Sequence, residues 1–296
     1  MIKLNTKFFS DGLTLDGDFY TDESNNNPEL PIVIICSGFT GQKNIHPERY
    51  ARAWTKKGYT VFGFDYRGFG ESDGVRGRVI LEEQVRDIAN VVTVVSERAI
   101  KEGRKVVLAG WGMAGGLILD AYRICEDQVS GLVAMNGFFN AVRVQKKQRG
   151  EQGWKEFKQF VTTERLRLAK GGVKKGIDPF KIYPLDPVSR KYVFTELVKT
   201  PGYGVTCDLS FADSLISFNP EAQLDERFAD IPLLIAHGAE NDLHPVTEAE
   251  SLYDAYPGPK SIYLLPNAGH TEWMLDEDPR FMAFEKHVSE WVAETI

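Results

Sequence analysis

"VVLAGWGMAGGLI", residues 106–118, is an apolar run that enters a glycine-dense turn and leaves it as a helix. Two motifs share that outline. Gly110, Gly112 and Gly115 satisfy G-x-G-x-x-G literally, which would rest a pyrophosphate on a helix N-terminus. The G-x-S-x-G elbow makes the same strand–turn–helix with a nucleophilic serine at its apex, and here the apex is Gly112. The neighbours of the stretch decide between them.

A dinucleotide fingerprint sits on the first strand of its unit and needs an acidic residue at the end of the next strand, to hold a ribose. This turn follows the fifth strand, and the next one ends "LVAMNGFF", which offers Asn136 instead of Asp or Glu. A lone G-x-G-x-x-G is weak evidence without that partner. The elbow reading has companions in the right order. "CSGFTG" (36–41) follows the third strand, "FDYRGFGESDG" (64–74) the fourth, "HGAENDLHP" (237–245) the seventh and "LPNAGHTEWM" (265–274) the eighth.

The count of eight rests on alternating strand and helix signals. Two opening strands at 2–9 and 13–20 are joined by the turn Ser10-Asp11-Gly12. Later strands, such as "PIVIICSG" and "IPLLIAHG", are continuous apolar runs, as in a parallel sheet covered by helices on both faces. Helical patterns fall at 47–57, 81–102, 113–125, 246–256 and 279–294. Residues 140–222 break this rhythm with aromatic, helical sequence and turn signals. They are expected to form a cap inserted over the strands' C-terminal edge, where open α/β sheets bind ligands. The core is then 1–139 together with 223–296.

Together these motifs make the chain resemble the α/β-hydrolase superfamily. Within it, "PGPK…PNAGH" and the elbow are similar to the dienelactone-hydrolase and X-Pro-peptidase-like branch, which includes polyketide-transferase-type enzymes. The resemblance implies an α/β fold with an eight-stranded, mostly parallel sheet, helices on both faces and an inserted helical cap. It also implies a Ser–acid–His triad in chain order and an oxyanion hole. On that basis His270 is the base, and the backbone N–H groups of Phe39 and Met113 are the oxyanion donors.

This sequence departs from the pattern at two positions. Gly112 occupies the nucleophile position and has no side chain to attack with. The family's H-G-x-x-D spacing falls on Asn241, with Asp242 one residue late, so either residue is a candidate to orient His270. Trp111, His46 and Trp273 are candidates to bind substrate. Trp111 is equally explained by core packing, His46 by entry into a helix, and Trp273 by the start of the last helix.

Composition narrows the partners. A formal charge of −7 argues against general nucleic-acid binding. No apolar run is long enough for a membrane span, and "MIKLNTKFFSDG" lacks the apolar block of a signal peptide. Cys36, Cys125 and Cys207 have neither CxxC nor Cys/His spacing, which reads as reduced thiols in a cytoplasmic protein without a zinc site. Residues 141–175 carry eleven Lys/Arg against three Asp/Glu. That stretch is either a solvated helix face or a landing patch for an anionic carrier thioester. The expectation is an enzyme of secondary metabolism acting on a small carbonyl substrate (ester, thioester or polyketide-like), free or carrier-bound, with no metal or organic cofactor. Acyl transfer between bound partners, cyclisation or a lyase step would proceed without a serine nucleophile. The alternatives are a non-catalytic small-molecule-binding pseudoenzyme and a Ser→Gly variant of an ordinary esterase. Oligomeric state leaves no mark in the sequence.

Overall fold

The computed structural model describes residues 1–39, 41–203 and 206–296. The chain opens with a hairpin, β1 (Ile2–Ser10) and β2 (Leu13–Thr21). Its two-residue turn, Asp11-Gly12, has positive φ at both positions, the geometry that matches strand twist. Then come β3 (Ile32–Cys36), α1 (His46–Trp54), β4 (Thr60–Phe64), α2 (Leu81–Glu102), β5 (Val106–Trp111), α3 (Met113–Cys125) and β6 (Gly131–Met135). Four helices follow: α4 (Ala141–Ala169), α5 (Pro179–Ile182), α6 (Pro187–Thr195) and α7 (Leu209–Ser217). The chain closes with β7 (Leu233–Gly238), α8 (Val246–Ala255), β8 (Lys260–Leu265) and α9 (Pro279–Thr295).

The eight strands form one sheet in the order β1-β2-β4-β3-β5-β6-β7-β8. The β1–β2 and β2–β4 pairs are antiparallel and the remaining pairs parallel. This is the α/β-hydrolase sheet that the resemblance implied. Every residue of β3, β4, β5, β6 and β7 is buried, which is why those strands read as unbroken apolar runs. One face packs Ile88, Val92, Leu117, Ile118 and Leu252 of α2, α3 and α8 against Ile34 and Leu108. The other packs Tyr50 and Trp54 of α1 and Phe284 and Val288 of α9 against Val33 and Val107.

Helices α4–α7 lie between β6 and β7 in sequence and each starts on a side-chain cap. Asn140, Asp178, Asp186 and Asp208 accept backbone N–H groups of the first turn. Asp178-Pro179 and Asp186-Pro187 add a proline whose fixed φ suits the first helical position. Helix α4 is broken at Gly150, whose φ of +66° leaves the helical region. Its first half is fastened to the core by Arg143, which donates to Glu248 of α8 and to Glu221. Gln148 Nε2 donates to the carbonyl of Leu243, 2.6 Å away, beside β7's loop. Among the described residues no helix is long and apolar enough to cross a membrane.

Candidate active site

Strand β5 ends at Trp111 and α3 begins at Met113, so the whole reversal falls on Gly112, with φ +60° and ψ −124°. L-residues rarely adopt that conformation, and glycine adopts it without a Cβ penalty. The Gly112 N–H donates to Met135 O at 2.8 Å, and its carbonyl accepts from the Gly115 N–H at 2.9 Å. The flanking glycines are there for space. A Cβ on Gly110 would stand 2.2 Å from Ala114 O, and one on Gly116 2.6 Å from Phe138 O. Among the described residues, a Cβ on Gly112 would meet within 4 Å only the His270 ring, with Nε2 at 3.6 Å. The apex is therefore open, and the imidazole faces it.

His270 lies on the loop after β8. Asn136, at the end of β6, holds that loop: its Nδ2 donates to His270 O at 2.8 Å, and its Oδ1 accepts from the Gly238 N–H at 2.7 Å. Asn136 itself has a φ of +48°, in the left-handed region that asparagine tolerates better than most residues. In the sequence Asn136 stands out only as a residue that cannot serve as the acidic ribose ligand. The signal for its real position was an asparagine–glycine pair directly after an apolar strand.

Asn241, and not Asp242, stands beside the ring. Asn241 is buried and its Nδ2 lies 3.1 Å from His270 Nδ1. Asp242 is exposed and lines a separate surface depression with Glu240 and Glu272. The one-residue shift that would have let Asp242 reach His270 does not occur, because the turn from Gly238 to Asn241 is closed by an Asn241 N–H to Gly238 O bond.

Four of the five histidines gather here, all buried. The rings of His244 and His270 meet edge to face at 4.5 Å. His244 donates through Nδ1 to Asn136 O at 2.5 Å and accepts the Tyr183 hydroxyl at Nε2. Tyr183, just past α5, was not anticipated; nothing local distinguishes it from a core aromatic. Burial pushes His46 and His244 down to about 3 and His237 to about 4. His270 is held well below its ordinary value by burial first and then by His244, His237 and His46. All four are therefore neutral near pH 7.

A pocket opens onto the apex. Phe39 and Met113 line it, as do Trp111, His46 and His270. As the first residue of α3, Met113 has an N–H with no acceptor inside the helix. Helices α5 and α6 contribute Phe180, Ser189 and Val193 to the opposite wall. Trp273 packs edge to face on Trp111 at 5.5 Å and against Phe284 at 4.9 Å, in the core behind the pocket. It therefore supports Trp111 without lining the pocket. His46 stacks on Trp111 at 5.1 Å. Four lining residues, His46, Trp111, Ser189 and Thr271, each hold a buried polar side-chain atom with no protein partner among the described residues. Such groups take an ordered water or a polar atom of a ligand as partner.

In the turn after β4, Asp65 and Arg67 are held by different partners. The carboxylate of Asp65 accepts from the N–H groups of Lys43 and Glu71, at 2.8 and 3.0 Å. Arg67 instead forks onto Asp87 and reaches Asp11. The basic stretch is partly neutralised where it lies: Arg143 pairs with Glu221 and Glu248, Arg165 with Asp213, and Arg167 with Glu164.

The sequence profile described as "Serine aminopeptidase, S33" matches residues 28–278. An uncharacterised 31.7 kDa Escherichia coli protein from the traX–finO intergenic region is 27% identical over 272 residues, covering 91% of this chain and 92% of that one. A protein of Aspergillus calidoustus named acyltransferase drtE is 25% identical over 286 residues, 92% of this chain and 88% of its own. The structure of DcsB in complex with its substrate analogue superposes with a TM-score of 0.79 over all of both chains at 19% identity, a likeness of fold.

Proposed function

The chain belongs to the serine aminopeptidase S33 family of α/β hydrolases, and we propose that it is an enzyme that processes the carbonyl group of a small, mainly apolar substrate without forming an acyl-enzyme. The observation that carries this reading is the open apex at Gly112, where a Cβ would stand 3.6 Å from His270 Nε2. Where other elbows place a serine, this one leaves room for an atom of the substrate. The oxygen of that carbonyl would be held by the N–H groups of Phe39 and Met113, which sit on backbone and do not depend on the missing side chain. In serine hydrolases stripped of a triad member, such donors and binding still leave roughly 10³–10⁴-fold of rate.

Esters, thioesters and polyketide-like compounds fit the largely apolar lining. The step would be transfer between two bound partners, cyclisation or a lyase reaction. Helices α4–α7 act as the cap and keep water away from a carbonyl that the protein never ties down covalently. The name of the Aspergillus calidoustus relative supports acyl chemistry. A single Ser→Gly exchange in an ordinary esterase accounts for Gly112 but not for Asn241 beside His270. A pure binding protein accommodates both departures, and the experiment below separates it.

Wild type and His270→Ala are incubated with a panel of acyl and β-keto thioesters, following heat of binding and product by mass spectrometry. Product from wild type alone, with binding retained by both, supports catalysis. Tight binding with unchanged ligand recovered from both would make the protein a receptor.

A further inference from the structure

The side-chain amide of Asn241 has its two ends committed to different neighbours. One end lies 2.9 Å from the backbone nitrogen of His244, which can only donate, so that end is the oxygen. The other end is then the NH2 group, and it lies 3.1 Å from His270 Nδ1. An amide NH2 can only donate, so Nδ1 must accept and the ring proton sits on Nε2.

Turning the amide over would let its oxygen accept from His270 Nδ1–H. It would also set two donors face to face at 2.9 Å and strip a buried peptide N–H of its acceptor. Among the described residues His237 weighs on the other side, with Nε2 3.3 Å from the Asn241 Nδ2. That ring nitrogen already donates to His244 O at 2.8 Å, so turning the amide gives it nothing it lacks. The shorter contact, to an obligatory donor, decides the orientation.

We infer that Asn241 is a positioning residue that fixes His270 in its Nε2–H tautomer, so that the ring presents a hydrogen-bond donor to the Gly112 apex and not a base. His244 fixes Asn241 in turn. Its own ring is held between the Tyr183 hydroxyl and Asn136 O, so the loop that supplies the deciding N–H is pinned from the inserted helices. The neutrality of His270 is consistent with this, because an imidazolium would have to donate at Nδ1 into an NH2 group. Together with the carbonyl reading proposed above, on which this step rests, the site holds three N–H groups around one oxygen. It favours carbonyl substrates whose oxygen gains negative charge as a second bound partner attacks, the attacking group and the proton acceptor both coming from that partner and not from the protein.

The test reads the tautomer directly and needs no substrate. Long-range ¹H–¹⁵N spectra of the full-length protein near pH 7 are recorded, with His270 assigned by its loss in His270→Gln. A pyrrole-type Nε2 and a pyridine-type Nδ1 are expected in wild type, and Asn241→Asp should interchange them. Asn241→Ala should give mixed signals, and it serves if the aspartate variant does not fold. A wild-type His270 protonated at Nδ1 overturns the inference, as does a pattern unmoved by both substitutions. Absence of any carbonyl turnover would sink the proposed function and leave this tautomer standing.

Discussion

The imidazole Nε2 of His270 stands 3.6 Å from the point that a Cβ on Gly112 would occupy, in ordinary van der Waals contact. A serine side chain therefore fits at the apex sterically, at a conformational cost of about 1–3 kcal/mol for a non-glycine residue at this φ. Fitting is not the same as working, because a hydroxyl there would face whichever form of Nε2 the ring presents.

Gly112→Ser alone should hydrolyse p-nitrophenyl acetate little faster than wild type, since an Nε2–H cannot accept the serine proton. Gly112→Ser combined with Asn241→Asp restores both the nucleophile and a carboxylate at Nδ1. In a serine protease the aspartate-to-asparagine change costs about 10⁴ in kcat, so the double variant should exceed Gly112→Ser by roughly 10³–10⁴. Equal rates for the two would show that residue 241 does not control the ring.

The elbow glycines should separate by cause. Gly110→Ala drives a methyl to 2.2 Å from a backbone oxygen, and no rotamer relieves it. Among the described residues Gly112→Ala meets nothing closer than the His270 ring, and it bears only the strain of a positive φ, about 1–3 kcal/mol. Urea midpoints should place Gly110→Ala well below Gly112→Ala. The reverse order would mean that the apex is more crowded than its geometry.

Acid should unfold this protein through its histidines. A ring whose folded pKa is depressed binds its proton less readily folded than unfolded, so its contribution is complete above the unfolded value of about 6.5 and lost as the pH falls toward the folded one. For His46, His237 and His244 the folded values are about 3, 4 and 3, and His270 is shifted in the same direction. Stability measured by urea titration should begin to fall below about pH 6.5, each histidine adding up to about 1.4 kcal/mol per pH unit. His46→Gln should show a shallower slope. A flat profile between pH 7 and 5 would refute it.

Tyr183→Phe keeps the ring that packs on Phe39 at 5.5 Å and removes only the hydroxyl given to His244. The buried His244 Nε2 is left without a donor, a loss of about 1–3 kcal/mol. Hydrogen exchange should speed up in α5 and α6 while β5 and β6 stay protected. Uniform acceleration across the sheet would show that the bond holds the whole fold and not the inserted helices.

The sequence by itself determined the sheet. Unbroken apolar strands bounded by glycine turns, and helices at a 3.6-residue period, carry their own signal, and α2 and α3 run over the very residues where the periodicity put them. It also determined the elbow, because crowding at Gly110 and Gly116 is written as glycine in the chain itself. Which of Asn241 and Asp242 faces His270 was not legible, since a one-residue register in a loop is set by a closing hydrogen bond and leaves no trace in residue type. Nor was the part played by Tyr183 and Asn136. Tyr183 lies 61 residues from its partner His244, and Asn136 lies 134 from His270. The tertiary structure decided these because a hydrogen bond has direction and reaches only about 3 Å, while a pattern in sequence records only which face of an element is buried.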